Sequence, residues 1–354
     1  MVILHQLLLP LLIPLSWIYG LIIWIRNRLF DIGFFKSKTF KTPIISIGNI
    51  TTGGTGKTPM VIYLTKLLKK NNYKPGIVSR GYGRNSTGLI MVHDGNKLLT
   101  DIDKAGDEPY LLGEKLNNIP IIVCENRIDG IQKLLENRLV DIIILDDAFQ
   151  HRYIERDLDI VLISSNDKIG DYHLLPWGKL REPLYVLKRA QCIIYSKTKQ
   201  FQNPSQHEII NPNIITSPIT NIIQPIIMKI GETGYQKVFS VDEPVFAFCG
   251  IGDSNSFVQT ANELGLKIIG THFFQDHQNY NTKILQRLSI QIQNSKCKAV
   301  ITTEKDKVKI PESFMKKFIF YVIKIDVVFE NDSVVLDLIK PLFSQSSKNN
   351  RSEH

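Results

Sequence analysis

The stretch IISIGNITTGGTGKTPMVIYLTKLL, residues 44–68, decides the fold. Ile44 to Ile47 make a short apolar run suited to a buried strand, and a Gly/Thr-rich loop follows. Met60, Val61, Leu64, Leu67 and Leu68 then recur at spacings of three and four, the period of a helix with one face on a core. Strand, loop and helix in that order predict a phosphate-binding loop. Thr51 to Thr58 fit GxxxxGK[ST] at every defined position but the first, where Thr51 replaces glycine. In such a loop Thr52, Gly53, Gly54, Thr55 and Gly56 turn backbone N–H groups toward phosphate oxygens, and Lys57 reaches the outer phosphates. Thr58 offers its hydroxyl to Mg²⁺, and Pro59 completes the segment at the start of the helix.

A metal at a phosphate loop calls for a carboxylate at the end of a neighbouring strand. Ile142 to Leu145, followed by Asp146 and Asp147, has that form, though paired aspartates also suit a turn, and the sequence leaves open which of them meets Mg²⁺. Further strands read at Gly76–Val78, Ile121–Val123, Ile160–Ile163 and Cys192–Tyr195, with helical stretches such as Ile128–Leu135 between them. Continuous Ile/Val/Leu runs suit a parallel sheet covered on both faces. Over residues 200–240 the composition turns to Asn, Gln, Ser, Pro and Thr, which reads as a linker and partly a hairpin. Strands then resume at Val245–Cys249, Lys267–Gly270, Ala299–Thr302 and Phe318–Ile323. The expected architecture is α/β: a P-loop NTPase-like domain over 36–200, a linker over 201–240 and a second, smaller α/β domain over 241–343. A disordered tail is expected over 344–354.

The 43% hydrophobic and 22% charged content excludes large-scale disorder. Cys124, Cys192, Cys249 and Cys297 are widely spaced beside apolar runs, so neither a disulfide framework nor a zinc site is expected. The formal charge of +9 is unevenly spread: residues 1–25 hold no Lys, Arg, Asp or Glu, whereas Arg26 to Arg84 hold twelve Lys or Arg against Asp31 alone. A basic block next to the apolar stretch Leu7–Ile25 points to an anionic membrane rather than nucleic acid. Residues 1–35 are therefore expected to anchor the chain. Pro10 and Pro14 would kink that helix, so a one-sided anchor and a full span both stay open. Trp17, Tyr19 and Trp24 suit a headgroup boundary.

Seven motifs in order, GGTGKTP (53–59), SRGYGR (79–84), GDEP (106–109), DDAFQHR (146–152), LREP (180–183), FQDH (274–277) and TTEKD (302–306), resemble the tetraacyldisaccharide 4'-kinase family from the anchor to about Leu342. The resemblance implies an ATP- and Mg²⁺-dependent kinase that phosphorylates a lipid A disaccharide 1-phosphate on the cytoplasmic face of a Gram-negative inner membrane. It implies anionic lipids as partners, and neither nucleic acid nor an obligate protein partner. Composition and spacing alone reach only a membrane-bound P-loop kinase or ATPase, and an ATPase or GTPase driving a partner is the competing reading.

From the same resemblance Asp107 is the expected base for a sugar hydroxyl, although Asp, Glu and Pro also open a helix well. His277 is expected to support Asp107 from the second domain, which requires the two domains to close. Arg80, Tyr82 and Arg84, separated by glycines, suit an anionic or sugar ligand, or simply a solvated loop. Glu108, Gln150, His151, Arg181 and Glu182 are carried over as active-site neighbours. Thr302 to Asp306 are expected to meet nucleotide or to cap a helix.

Overall fold

In a computed structural model, residues 2–136, 140–198, 219–231 and 234–349 are described. Helix α1 (Val2–Asp31) precedes β1 (Ile44–Asn49), α2 (Lys57–Lys70), β2 (Pro75–Ser79), β3 (Ile90–Asp94), α3 (Ile102–Ala105) and α4 (Asp107–Lys115). Next come β4 (Pro120–Val123), α5 (Arg127–Glu136), β5 (Ile142–Asp146), β6 (Leu158–Ser164) and β7 (Cys192–Thr198). A hairpin of β8 (Ile219–Gly231) and β9 (Gly234–Val238) leads to β10 (Val245–Cys249), α6 (Ser254–Glu263), β11 (Ile268–Phe273) and α7 (Thr282–Asn294). The chain continues through β12 (Ala299–Thr303), α8 (Glu304–Lys307), α9 (Glu312–Met315), β13 (Ile319–Val328) and α10 (Asp332–Asn349).

All of these strands join one sheet, ordered β11-β10-β12-β13-β8-β7-β6-β1-β5-β2-β4-β3, with β9 also on β8. Pairing is parallel except at β3–β4, β8–β13 and β8–β9. Strands β1, β2, β4, β5 and β6 are buried at every position, the consequence of helices on both faces and the reason their sequences are rich in Ile, Val and Leu on both faces. Edge strand β3, antiparallel to β4, is one the sequence reading did not contain.

Three expectations are corrected. Residues 219–231 are not a linker: β8 is an interior strand, parallel to β7 at its start and antiparallel to β13 along its length, so the sheet crosses unbroken between the halves. Its Pro225 falls between the part paired with β7, ending at Ile222, and the part paired with β9, starting at Ile227. One side of the strand has no partner there, as a residue without N–H requires. The remainder of the expected linker, 201–218, lies outside the described residues. Second, the expected disordered tail is helical as far as Asn349, within α10. Third, α10 does not belong to the core of the second half. Val335 and Ile339 pack into the cluster that holds Met60, Leu64 and Leu68 of α2, and the Tyr73 and Phe343 rings stack at 4.1 Å.

Helix α1 contains both prolines in one continuous element. Ser16, Ile23, Asn27 and Phe30, spaced as one helical face, are buried against the body. Leu11, Leu15, Trp17, Ile18, Leu21, Ile22, Trp24 and Ile25 stay exposed. The segment Pro10–Asp31 is long and apolar enough to cross a bilayer.

Candidate active site

The site gathers at the carboxyl ends of the parallel strands, where ligands bind in open α/β sheets. The loop between β1 and α2 enters through an antiparallel bridge of Thr51 to Leu180, an extended conformation open to any residue, so the missing first glycine costs no left-handed backbone. Gly53 and Gly56 are the positions that need it, at φ +110° and +87°. Thr52 N–H donates to Lys179 O at 2.8 Å, and Asn49 Nδ2 donates to Thr55 Oγ1 at 3.0 Å, tying the loop to strand β1 and to the LREP segment. Thr58 is buried at the start of α2.

Beside the loop, Asp146 and Asp147 have opposite surroundings. Asp147 sits in the left-handed region at φ +47°, a strained place for an aspartate. Three cations hold it: Lys57 Nζ at 3.5 Å and Arg181 Nη1 at 3.0 Å from its carboxylate, and Arg127 Nη2 at 2.9 Å from its carbonyl oxygen. Burial would raise its carboxyl, but Lys57 and Arg181 outweigh that and hold it below the usual range. Asp146 is fully buried, accepts from Ser79 Oγ at 3.0 Å on Oδ2, and has no partner on Oδ1. Burial, reinforced by the charges of Glu108 and Asp147, pushes its carboxyl up to about 7. An orphaned, partly protonated carboxylate beside a phosphate loop fits a cation. Mg²⁺ takes one or two side-chain oxygens with phosphate oxygens and water, a set that Asp146 and Thr58 fit.

Asp107 opens α4 and meets residues from the other half of the sheet. His277 Nδ1, past the end of β11, lies 3.0 Å from Asp107 Oδ2, and Lys309 Nζ lies 3.0 Å from the same oxygen. Burial would raise Asp107; the His277 hydrogen bond and the Lys309 charge reverse this and hold it below the usual range. The Asp107 bond in turn keeps His277 above its ordinary value against burial. His277 itself is left-handed at φ +58°, and the Tyr82 ring lies 5.5 Å from its imidazole. Next along α4, Glu108 pairs with Lys305, whose charge holds the acid low despite burial.

A pocket of about 490 Å³ opens between these groups and α1. Tyr19, Ile23 and Arg26 of α1 line it together with Thr52, Arg80, Tyr82, Glu108, Arg127, Asp146, Asp147, Gln150, His151 and Arg181. His151 is pushed down to about 4 by burial and by the neighbouring Arg127, Arg156, Arg26 and Arg80, and its Nε2 is buried without a partner. It is therefore neutral near pH 7.

Two expected ligand contacts turn elsewhere. Arg84 bonds Gly88 O at 2.6 Å and pairs with Glu125, so it braces its own loop. Glu182 is fully buried, accepting from Arg189 Nη2 at 2.7 Å and Asn27 Nδ2 at 2.9 Å. The TTEKD segment aims Lys305 at Glu108, while Thr303 Oγ1 bonds Asp306 at 2.7 Å. The sequence reading missed Ser79, Arg127 and Lys309. An Arg at the first position of α5, right after a buried strand, was a signal for Arg127; nothing local marked Lys309.

A phosphate loop serves hydrolysis and transfer alike. A phosphate loop beside a pocket lined by Arg26, Arg80, Arg127 and Arg181, with the Asp107 carboxylate held by the His277 imidazole across the cleft, defines this protein as a P-loop kinase. A family model described as Tetraacyldisaccharide-1-P 4'-kinase matches residues 8–342. The chain belongs to the tetraacyldisaccharide 4'-kinase family. It is 37% identical over 308 residues to the tetraacyldisaccharide 4'-kinase of Chlorobaculum tepidum, covering 84% of this chain and 85% of the relative. To that of Shewanella frigidimarina it is 36% identical over 299 residues, covering 84% and 82%. A crystal structure of LpxK from Aquifex aeolicus in complex with ATP superposes with a TM-score of 0.75 at 32% identity, covering 96% of this chain and 99% of that one.

Proposed function

We propose that this chain transfers the γ-phosphate of ATP to the 4'-hydroxyl of a tetraacylated glucosamine disaccharide 1-phosphate, giving the 4'-phosphorylated lipid A precursor, with Asp107 as the proton acceptor. The observation that carries the mechanism is the Asp107–His277 contact of 3.0 Å, which sets an ionised base at the cleft. The hydroxyl oxygen bonds to the γ-phosphorus, its proton passes to Asp107, and ADP leaves. Lys57 is assigned to the outer phosphates, and Arg181 steadies charge on the transferring group. Of the paired aspartates, Asp146 with its free oxygen is assigned with Thr58 to Mg²⁺, while Asp147 orients Lys57 and Arg181. Bound there, Mg²⁺ neutralises charge on the phosphates. Arg80, Tyr82, Gln150 and His151 are assigned to the acceptor.

The body is assigned to the cytoplasmic face of the inner membrane. Because Tyr19 Oη and Asn27 Nδ2 of α1 bond the LREP segment, α1 is read as lying along the body with its exposed Leu, Ile and Trp face in one leaflet, not as a free span. The basic block after it faces anionic lipid. Residues 36–200 together with α10, and residues 241–328, are read as two lobes that close to bring His277 to Asp107. A hydrolase driving a partner is not favoured, since Gln150, the residue to orient water, gives its amide to Asn49 O at 2.8 Å.

The test is transfer of ³²P from [γ-³²P]ATP to the purified disaccharide 1-phosphate in detergent micelles. Labelled lipid with the intact chain, falling by orders of magnitude in Asp107→Ala and Lys57→Ala, supports the reading. Lipid-independent ATP hydrolysis without labelled lipid overturns it.

A further inference from the structure

Lys309 carries a consequence beyond the two-residue pair. Its Nζ lies 3.0 Å from Asp107 Oδ2, the oxygen that His277 Nδ1 meets at the same distance, and its side chain is 7% exposed. Its other acidic neighbour is Asp306, 3.8 Å away. That carboxylate is already engaged: Oδ1 accepts from Gly250 N–H at 3.0 Å and Tyr280 Oη at 2.8 Å, and Oδ2 from Thr303 Oγ1 at 2.7 Å. Asp306 thus fixes the Gly250 corner and the start of the turn that carries Lys309, and the lysine's short contact is with Asp107. The Tyr280 ring, 5.8 Å from Nζ, faces the cation as well.

We propose that Lys309 is a positioning residue for phosphoryl transfer, which with His277 occupies Asp107 Oδ2, turns Oδ1 to the acceptor hydroxyl and keeps the carboxylate ionised. The proposal rests on the reading of Asp107 as proton acceptor. The charged groups around Asp107 are accounted for element by element. From its own helix, Glu108 is paired with Lys305; beyond β11 stand His277 and Asp276; from α8 and the turn after it come Asp306 and Lys309. Without Lys309, among the described residues, Asp107 keeps the His277 contact, Asp306 loses its ion pair, and the proton affinity of Asp107 rises.

The test uses the full chain in micelles, with kcat/KM for the lipid disaccharide measured from about pH 3 to 9 for the parent, Lys309→Met, Lys309→Arg and Asp107→Asn. The acid limb of Lys309→Met is expected to move to higher pH by about one to two units, with KM for ATP unchanged and the limb returned by Lys309→Arg. A uniform fall at every pH with the limb unmoved makes Lys309 a strut between the lobes and overturns the proposal. If thermal denaturation shows the methionine variant unfolded, Lys309→Gln carries the same expectation. An active Asp107→Asn enzyme that keeps its acid limb sinks the reading of Asp107 itself; an inactive one, with the limb unmoved in Lys309→Met, sinks only the present proposal.

Discussion

Asn27 of the N-terminal helix donates its Nδ2–H to Glu182 Oε1 at 2.9 Å, and Glu182 Oε2 in turn faces Gln150 Nε2 at 3.4 Å. Helix α1 and the pocket beside the phosphate loop are thus joined through one buried carboxylate. Replacing Asn27 with Leu keeps the branched skeleton and removes the donor, at a cost of about 1–3 kcal/mol for the unpaired oxygen. The melting temperature should fall, and kcat should drop several-fold as Gln150 shifts, with KM for ATP unchanged. Thermal denaturation and steady-state kinetics in micelles check this; an unchanged melting temperature would mean the contact is absent in the lipid-bound enzyme.

Asp146 is a site where function opposes stability. Its folded carboxyl is pushed up to about 7 by burial, from an ordinary 3.8. The folded state therefore holds the proton more tightly, and stability falls as pH rises from 3.8 to about 7. Asp146→Asn removes that loss. Without Mg²⁺ its melting temperature should exceed the parent's at pH 8, with the gain fading toward pH 4, while transfer activity collapses. Equal melting temperatures at pH 8 would contradict the assigned environment.

The nucleotide end of the site was legible because a phosphate loop is local: eight consecutive residues define it, and the strand before it and helix after it announce themselves by period. The Asp146–Asp147 strand was readable for the same reason. Lys309 was not, and Glu182 came only through the LREP resemblance, since their partners lie 202 and 155 residues away and nothing in the adjacent sequence encodes the meeting. The segment Ile219–Gly231 read as linker because Asn221, Gln224 and Pro225 interrupt its β-branched pattern. Pairing with β13 overrode that local preference. The Asp107–His277 pairing came from family resemblance, because a lone histidine in a polar loop has no spacing that points to a carboxylate 170 residues earlier.

Gly106 explains why a glycine precedes Asp107. Its φ of +88° and ψ of 156° fall in a region essentially reserved for glycine, and a Cβ there would meet Tyr82 O at 3.0 Å. Gly106→Ala should cost about 1–3 kcal/mol of strain and displace the start of α4. Since Asp107 is the next residue, kcat should fall about tenfold or more, as misplacement of a catalytic group does, with ATP affinity little changed. Isothermal titration with an ATP analogue, set beside kcat, separates the two effects. Parallel losses in both would mean the strain spreads to the phosphate loop.

The contact between α4 and the segment after β12 has a charge pattern of its own. Along α4, Asp107, Glu108 and Glu114 face Lys309, Lys305 and Lys307, and Lys115 faces Glu304 with the signs reversed. Glu114 and Lys307, 3.2 Å apart at the rim, line neither the phosphate loop nor the pocket, so changes there reach this contact without touching the site. An exposed pair contributes about 0.2–1 kcal/mol, and reversing one member replaces attraction with repulsion of similar size. Glu114→Lys alone should lower kcat/KM by about threefold to tenfold, and Lys307→Glu alone by a similar factor, both effects shrinking in high salt. Lys307→Glu also removes the cation 5.1 Å from the Tyr235 ring on β9, so it should be the costlier of the two. The double reversal restores an opposite pair, and recovery of most of the activity would establish that attraction between α4 and the segment after β12 holds the lobes in register. If the double variant is as slow as the worse single one, the ion pairs follow closure and do not drive it.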